Sequence, residues 1–247
     1  MVIYYMTIVS DYLELTVKYK EQYGAKTIVL MQVGAFFEVY GLKCKDTGKI
    51  LRSDLSDFAS LADLSVSNKQ ITESGMFVMM AGFRDYSIEK YLKKLQENGY
   101  TSVVYTQDEN KKNTTRSLQG IFSPGTHFSD SISDVKNTSN NIMCVWCEVQ
   151  SPSILTKHSG DKLPVIHIGI SVIDIYTGKV VLFEFKEPFV NSPTTYDELE
   201  RFVSIYNPNE VIFVTNMEEN DVDNIISFAN IQCNSIHKYY SNKSVSK

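Results

Sequence analysis

Between Asp108 and Asn141 the chain loses its apolar pattern. ENKKNTTR is polar and charged, and SPGTHFSDSISDVKNTSNN is built from Ser, Asn, Asp and turn-forming residues. Such a stretch runs over a surface, because burying it would leave many backbone and side-chain polar groups without partners. The apolar residues on either side must then make two cores. The expected organisation is a first domain over 1–120, a linker over 121–140 and a second domain over 141–247. A chain of 247 residues is long enough for two domains. Its 43% hydrophobic and 21% charged residues suit a soluble protein with packed cores.

Before the break, the pattern is α/β. Ser10 is placed to cap a helix carrying Tyr12, Leu15, Tyr19 and Tyr23, with Gly24 as its stop. KTIVLMQV, MFVMMAG and YTSVVYTQ read as strands, being short, apolar and rich in strand formers. Ile88, Tyr91, Leu92 and Leu95 fall at i, i+3, i+4 and i+7, which predicts a helix ended by Gly99. After the break, IMCVWCEV, VIHIGISVIDIY and KVVLFEF predict a meander with a Thr177-Gly178 turn, and SPSILTKHSGDK a long loop. Thr195 to Glu198 has the form of a capping box before Leu199, EVIFVT reads as a strand and MEENDVDNIISFANI as a helix. The order β-β-β-α-β-α is that of an RNase H-like fold.

Charge and cysteine content narrow the function. No apolar run is long enough to span a membrane. The start, MVIYYMTIVSD, lacks a basic region, so an intracellular setting is expected. Four cysteines are too few and too scattered for a disulfide framework. Cys144-Val-Trp-Cys147 lies in a strand, where i and i+3 point to opposite faces, and reads as core packing. The net charge of −5 is uneven. Residues 1–120 hold 15 Lys+Arg against 14 Asp+Glu, and residues 121–247 hold 9 against 15. Contact with phosphate is therefore expected in the first half, and only locally.

The segment Gly34-Ala-Phe-Phe-Glu-Val-Tyr40 poses the functional question. On a strand, Phe36 and Glu38 share one face, and Phe37 and Val39 the other. If Phe37 and Val39 pack inward, Phe36 and Glu38 point out together. By itself the segment also fits an edge of a core strand.

The first half resembles the mismatch-recognition domain of the MutS family of DNA mismatch-repair proteins. DYLELTVKYK, MQVGAFFEVYG, LADLSVSNKQ, MMAGFRDYSIEKYLKKLQENGYTSVVYTQ and SLQGIFSPGT are similar to family segments in the same order. IGISVIDIYTGKVVLFEF and YDELERFVSIYNPNEVIF resemble the family's connector domain. The sequence departs from the family at Ala35, at Asn68-Lys69 and at Arg84-Asp85-Tyr86, where the family has Asp, Lys-Arg and Pro-Tyr-His. The resemblance implies two α/β domains, the first a mixed sheet with flanking helices and the second RNase H-like. It implies double-stranded DNA carrying mismatches or small loops as partner. Phe36 would be the residue wedged at the mispaired base and Glu38 that base's hydrogen-bonding partner. Ser67, Asn68, Lys69, Arg84 and Tyr86 would stand near the DNA backbone. No Gly-x-x-x-x-Gly-Lys-Ser/Thr occurs, so the resemblance implies an N-terminal piece without catalytic activity or cofactor of its own. ATP, Mg and the dimer contacts would belong to the family's C-terminal domains.

Two rival functions follow from other features. A metal nuclease would centre on Asp174, with Glu184 and Glu198 able in principle to join it. A protein-interaction scaffold would use the acidic second half and bind no DNA.

Overall fold

The computed structural model describes residues 2–108, 115–126, 139–151, 163–233 and 235–241. The chain forms two compact units, Met1–Ser129 and Asp130–Lys247. Much of the stretch read as a linker, and most of the loop read at SPSILTKHSGDK, lie outside the described residues.

The first unit opens with helix α1, Val2–Tyr23. It starts eight residues before Ser10, so Ser10 lies within the helix and does not cap it. The apolar stripe explains the correction: Ile8 and Val9 are buried with Tyr12, Leu13 and Tyr19, and the pattern therefore continues upstream of the serine. Gly24, at φ +95° with its N–H on the Lys20 carbonyl, ends the helix as the sequence predicts.

The strands of this unit are β1 Thr27–Val33, β2 Phe36–Lys43, β3 Ile50–Leu51, β4 Ser67–Glu73, β5 Met76–Arg84, β6 Thr101–Gln107 and β7 Arg116–Phe122. They form one mixed sheet in the order β4-β5-β2-β1-β6-β7, with β3 beside the far end of β2. β1 is parallel to β6 and antiparallel to β2. Helices α2, Leu55–Ala62, and α3, Ile88–Glu97, complete the unit. The two faces of the sheet are both covered. Tyr12 of α1 meets Tyr40 edge-on at 5.3 Å between ring centres. On the opposite face Phe83 packs against Phe37, Phe58 of α2 and Tyr91 of α3.

The second unit carries strands β8 Asn141–Gln150, β9 Val165–Asp174, β10 Val180–Pro188, β11 Glu210–Thr215 and β12 Ser235–Tyr240. Helix α4, Asp197–Tyr206, precedes β11, and α5, Glu219–Phe228, follows it. The order is β10-β9-β8-β11-β12, with the first three antiparallel and β11 and β12 parallel to β8. This is the RNase H-like arrangement that the order of elements predicts, extended by β12, which that reading lacked. The capping box does not form. Thr195 bonds the Val190 carbonyl at 3.0 Å, and Glu198 pairs with Arg201 one turn on. A short 3-10 turn over Pro193–Tyr196 leads into α4 and leaves Thr195 one residue before its N-cap position, Tyr196. Cys147 is buried, and its thiol is pushed up to about 12 by that burial, whereas Cys144 lies on the other face and is half-exposed.

Candidate mismatch-binding site

The hairpin between β1 and β2 turns in two residues, Gly34 and Ala35, and closes on the pair Val33–Phe36. Gly34 adopts φ +61°, a left-handed conformation suited to the first position of such a turn and strained for a residue with a side chain. Groups distant in sequence hold the hairpin in place. The Gly34 N–H donates to Gln107 Oε1 at 3.0 Å, the Gln107 N–H donates to Gln32 Oε1 at 3.0 Å, and Arg116 Nε donates to the Gln32 carbonyl at 2.6 Å. On the other side the Asp85 N–H donates to the Ala35 carbonyl at 3.0 Å. These anchors are separated from the hairpin by 50 to 84 residues, beyond the reach of any local sequence pattern.

Strand β2 then presents its side chains alternately. Phe36 is 39% exposed and Phe37 only 3%. Glu38 is 5% exposed, so the expected outward-pointing Phe–Glu pair is corrected: only the phenylalanine is out. The reason lies in the layers. Both faces of this sheet are covered by helices, so alternation alone does not separate solvent from core. Phe36 escapes because it stands at the first position of the strand, next to the turn.

Across the ladder Phe36 faces Arg84, whose guanidinium carbon stands 5.3 Å from the centre of the Phe36 ring. This is a cation–π distance. Tyr86, two residues on, is one of the most exposed aromatics among the described residues. An exposed ring, an exposed guanidinium and a second exposed ring thus share one end of the sheet, an arrangement suited to a base and a phosphate.

Glu38 is engaged on both oxygens. Tyr40, fully buried two residues along the same face, donates its hydroxyl to Oε2. Lys69 Nζ lies 3.0 Å from Oε1. That lysine comes from β4, on the far side of β5, and the residue of β5 opposite Glu38 is Gly82. A Cβ on Gly82 would lie 2.7 Å from the Phe37 carbonyl oxygen and 3.3 Å from Glu38 Cγ. The glycine of MMAG therefore clears the space that the Glu38 side chain occupies.

The other two expected residues lie on β4. Ser67 Oγ reaches the Met80 carbonyl at 3.4 Å, and Asn68 Oδ1 accepts from the Gln70 N–H at 2.8 Å. Asn68 thus shapes the bulge of β4, where Gln70 takes φ +58°. Both are exposed.

In the second unit, the Asp174 carboxylate serves its own turn. It accepts from Thr177 Oγ1 at 2.7 Å and from the N–H groups of Asn140 and Tyr176 at 3.1 Å each. The Thr177 hydroxyl foremost, and then these N–H groups, hold its carboxyl below the usual range. Glu198 is paired with Arg201, and among the described residues no three of His, Cys, Asp and Glu gather where they could hold a metal ion. Among those residues, too, no helix is long and apolar enough to cross a membrane.

Residues 8–131 match MutS domain I, half of the chain. The chain belongs to the MutS family. It is 26% identical over 227 residues to a mutS homolog of Acanthamoeba polyphaga mimivirus, covering 89% of this chain and 19% of that protein. It is 29% identical over 216 residues to the DNA mismatch repair protein MutS of Halothermothrix orenii, covering 86% and 20%. With the MutS of Methanosarcina barkeri it shares 26% over 200 residues, covering 78% and 20%. The chain thus spans about a fifth of the length of these relatives.

Proposed function

We propose that the first unit binds double-stranded DNA at a mispaired base or small loop. In this reading Phe36 wedges into the base stack from the minor groove, and Glu38 hydrogen-bonds the displaced base. The observation that carries it is the contrast on β2: Phe36 is exposed beside Arg84 at the end of the sheet, while Phe37 is sealed in the core.

Physical chemistry explains how such a site would select a mismatch. Wedging a ring into a base step costs a few kcal/mol of unstacking, and least where pairing is already defective. Bending also costs less at such a step, so selection needs no sequence readout. A carboxylate close to phosphates disfavours perfect duplex unless a base donor compensates it. Arg84 stands against the ring, Tyr86 lies two residues beyond that arginine, and Ser67, Asn68 and Lys69 on β4 complete the DNA-facing set. The second unit serves as a connector. ATP, Mg and dimer contacts are assigned to the regions of a MutS-length protein that this chain does not match.

The test uses a duplex with 2-aminopurine beside a single mismatch. Binding should raise its fluorescence as the step unstacks, and Phe36→Ala should remove the rise. An equal rise with Phe36→Ala would show that another group opens the step.

A further inference from the structure

The mismatch reading needs the Glu38 carboxylate to meet a base, yet in the free protein that carboxylate is buried and held from two sides. The two holders differ. Tyr40 is fully buried on the same strand. Lys69 belongs to the bulged part of β4, and its side chain is 21% exposed against 7% for that of Glu38. A lysine carries a compact charge on a flexible stem and is readily drawn to a phosphate. Two residues of strand span about 7 Å, so a base stacked on Phe36 brings its edge near Glu38 and Lys69 together.

We propose that Lys69 and the mispaired base compete for Glu38. The ammonium occupies Oε1 in the free protein. On DNA it transfers to a backbone phosphate, and Oε1 then accepts a hydrogen bond from the base while Tyr40 keeps Oε2 in place. Phosphate capture and base readout are thereby one event, and Lys69 is a positioning residue for the discriminating carboxylate. Gly82 permits this, because any side chain there would press on Glu38. The inference rests on the reading of Phe36 and Glu38 given above.

Affinity of the 247-residue chain for a labelled duplex with and without one G·T mismatch, measured over a range of salt, tests it. The variants are Lys69→Met, Lys69→Gln and Glu38→Gln, with the two Lys69 substitutions repeated in the presence of Glu38→Gln. Lys69→Gln keeps a hydrogen-bond donor on Glu38 but removes the pull of phosphate, so the preference for mismatch should fall severalfold. Lys69→Met leaves the charge on Oε1 uncompensated, so binding to matched duplex should fall more than binding to mismatch. Both should lower the salt slope by about one phosphate contact. With Glu38→Gln present, neither should change the preference, although the slope still falls. Lys69→Gln, the milder change, decides the matter if Lys69→Met does not fold. Equal effects of the Lys69 substitutions with and without Glu38→Gln would overturn the competition. If Glu38→Gln alone left the preference intact, the reading of the site itself would fail, and the role of Lys69 with it.

Discussion

Each unit has a hairpin that places an exposed aromatic two residues from a carboxylate: Phe36 and Glu38 in the first, Tyr176 and Asp174 in the second. In sequence they look alike. What separates them is where the carboxylate's hydrogen bonds go. Asp174 accepts from Tyr176 and Thr177 of its own turn and from the backbone of Asn140, which joins the neighbouring strand. Its contacts are explained by holding the hairpin closed. Glu38 takes none from its turn. It reaches along its strand to Tyr40 and over β5 to Lys69, at a position cleared by a glycine. A turn does not need that arrangement. An acid spent on its own turn is architecture, whereas one held by a buried hydroxyl and, across strands, by a half-exposed lysine, beside an exposed ring, is a candidate for recognition.

The largest expected effect tests the orientation of β2. Phe37→Ala should lower stability by about 3–5 kcal/mol, the cost of emptying a packed aromatic site, in a denaturant titration. A small loss would mean that the strand faces the other way, and the contrast between the hairpins would collapse.

The next effect concerns Asp174. Its carboxyl titrates lower folded than unfolded, so it stabilises the second unit above the ordinary carboxylate pKa of about 4, and that contribution is lost as pH falls through the lowered value. Melting followed from pH 7 to pH 2 should show the loss, and Asp174→Asn should flatten the acid limb of the profile without changing DNA affinity. Loss of DNA affinity in this variant would give the second hairpin a role denied to it here.

The smallest effect is at the exposed rings. Phe36→Ala and Tyr176→Ala should each change stability by less than about 1 kcal/mol, as surface substitutions do. Only the first should alter DNA binding.

The sequence revealed most of what depends on local pattern. The strands at 27–33, 76–84 and 101–107, the helix at 88–97 and the three-stranded meander follow from apolar runs, periodicity and turn residues. The elements it did not reveal are those with weak patterns. β3 has two residues, β4 has exposed and half-buried side chains but no buried one around its bulge, and β7 lies inside the stretch read as polar. Within the site, alternation alone left the facing of the strand open, and the family resemblance put Phe36 outside and Phe37 inside, as found. The same reading put Glu38 outside as well, and there it failed, because a sheet covered on both faces buries both sets of an alternating strand. The bond from Lys69 depends on β4 and β2 flanking the same strand, β5, which no spacing along the chain reports.

In the proposed site it is Phe36 that reads the defect in the duplex. The ratio of dissociation constants for matched and mismatched duplex, measured side by side for the unaltered chain and Phe36→Ala, tests it most directly. The ratio should lie well above one for the unaltered chain and fall to about one for the variant, while the variant's melting curve stays in place. An unchanged ratio in a folded Phe36→Ala chain would contradict that role.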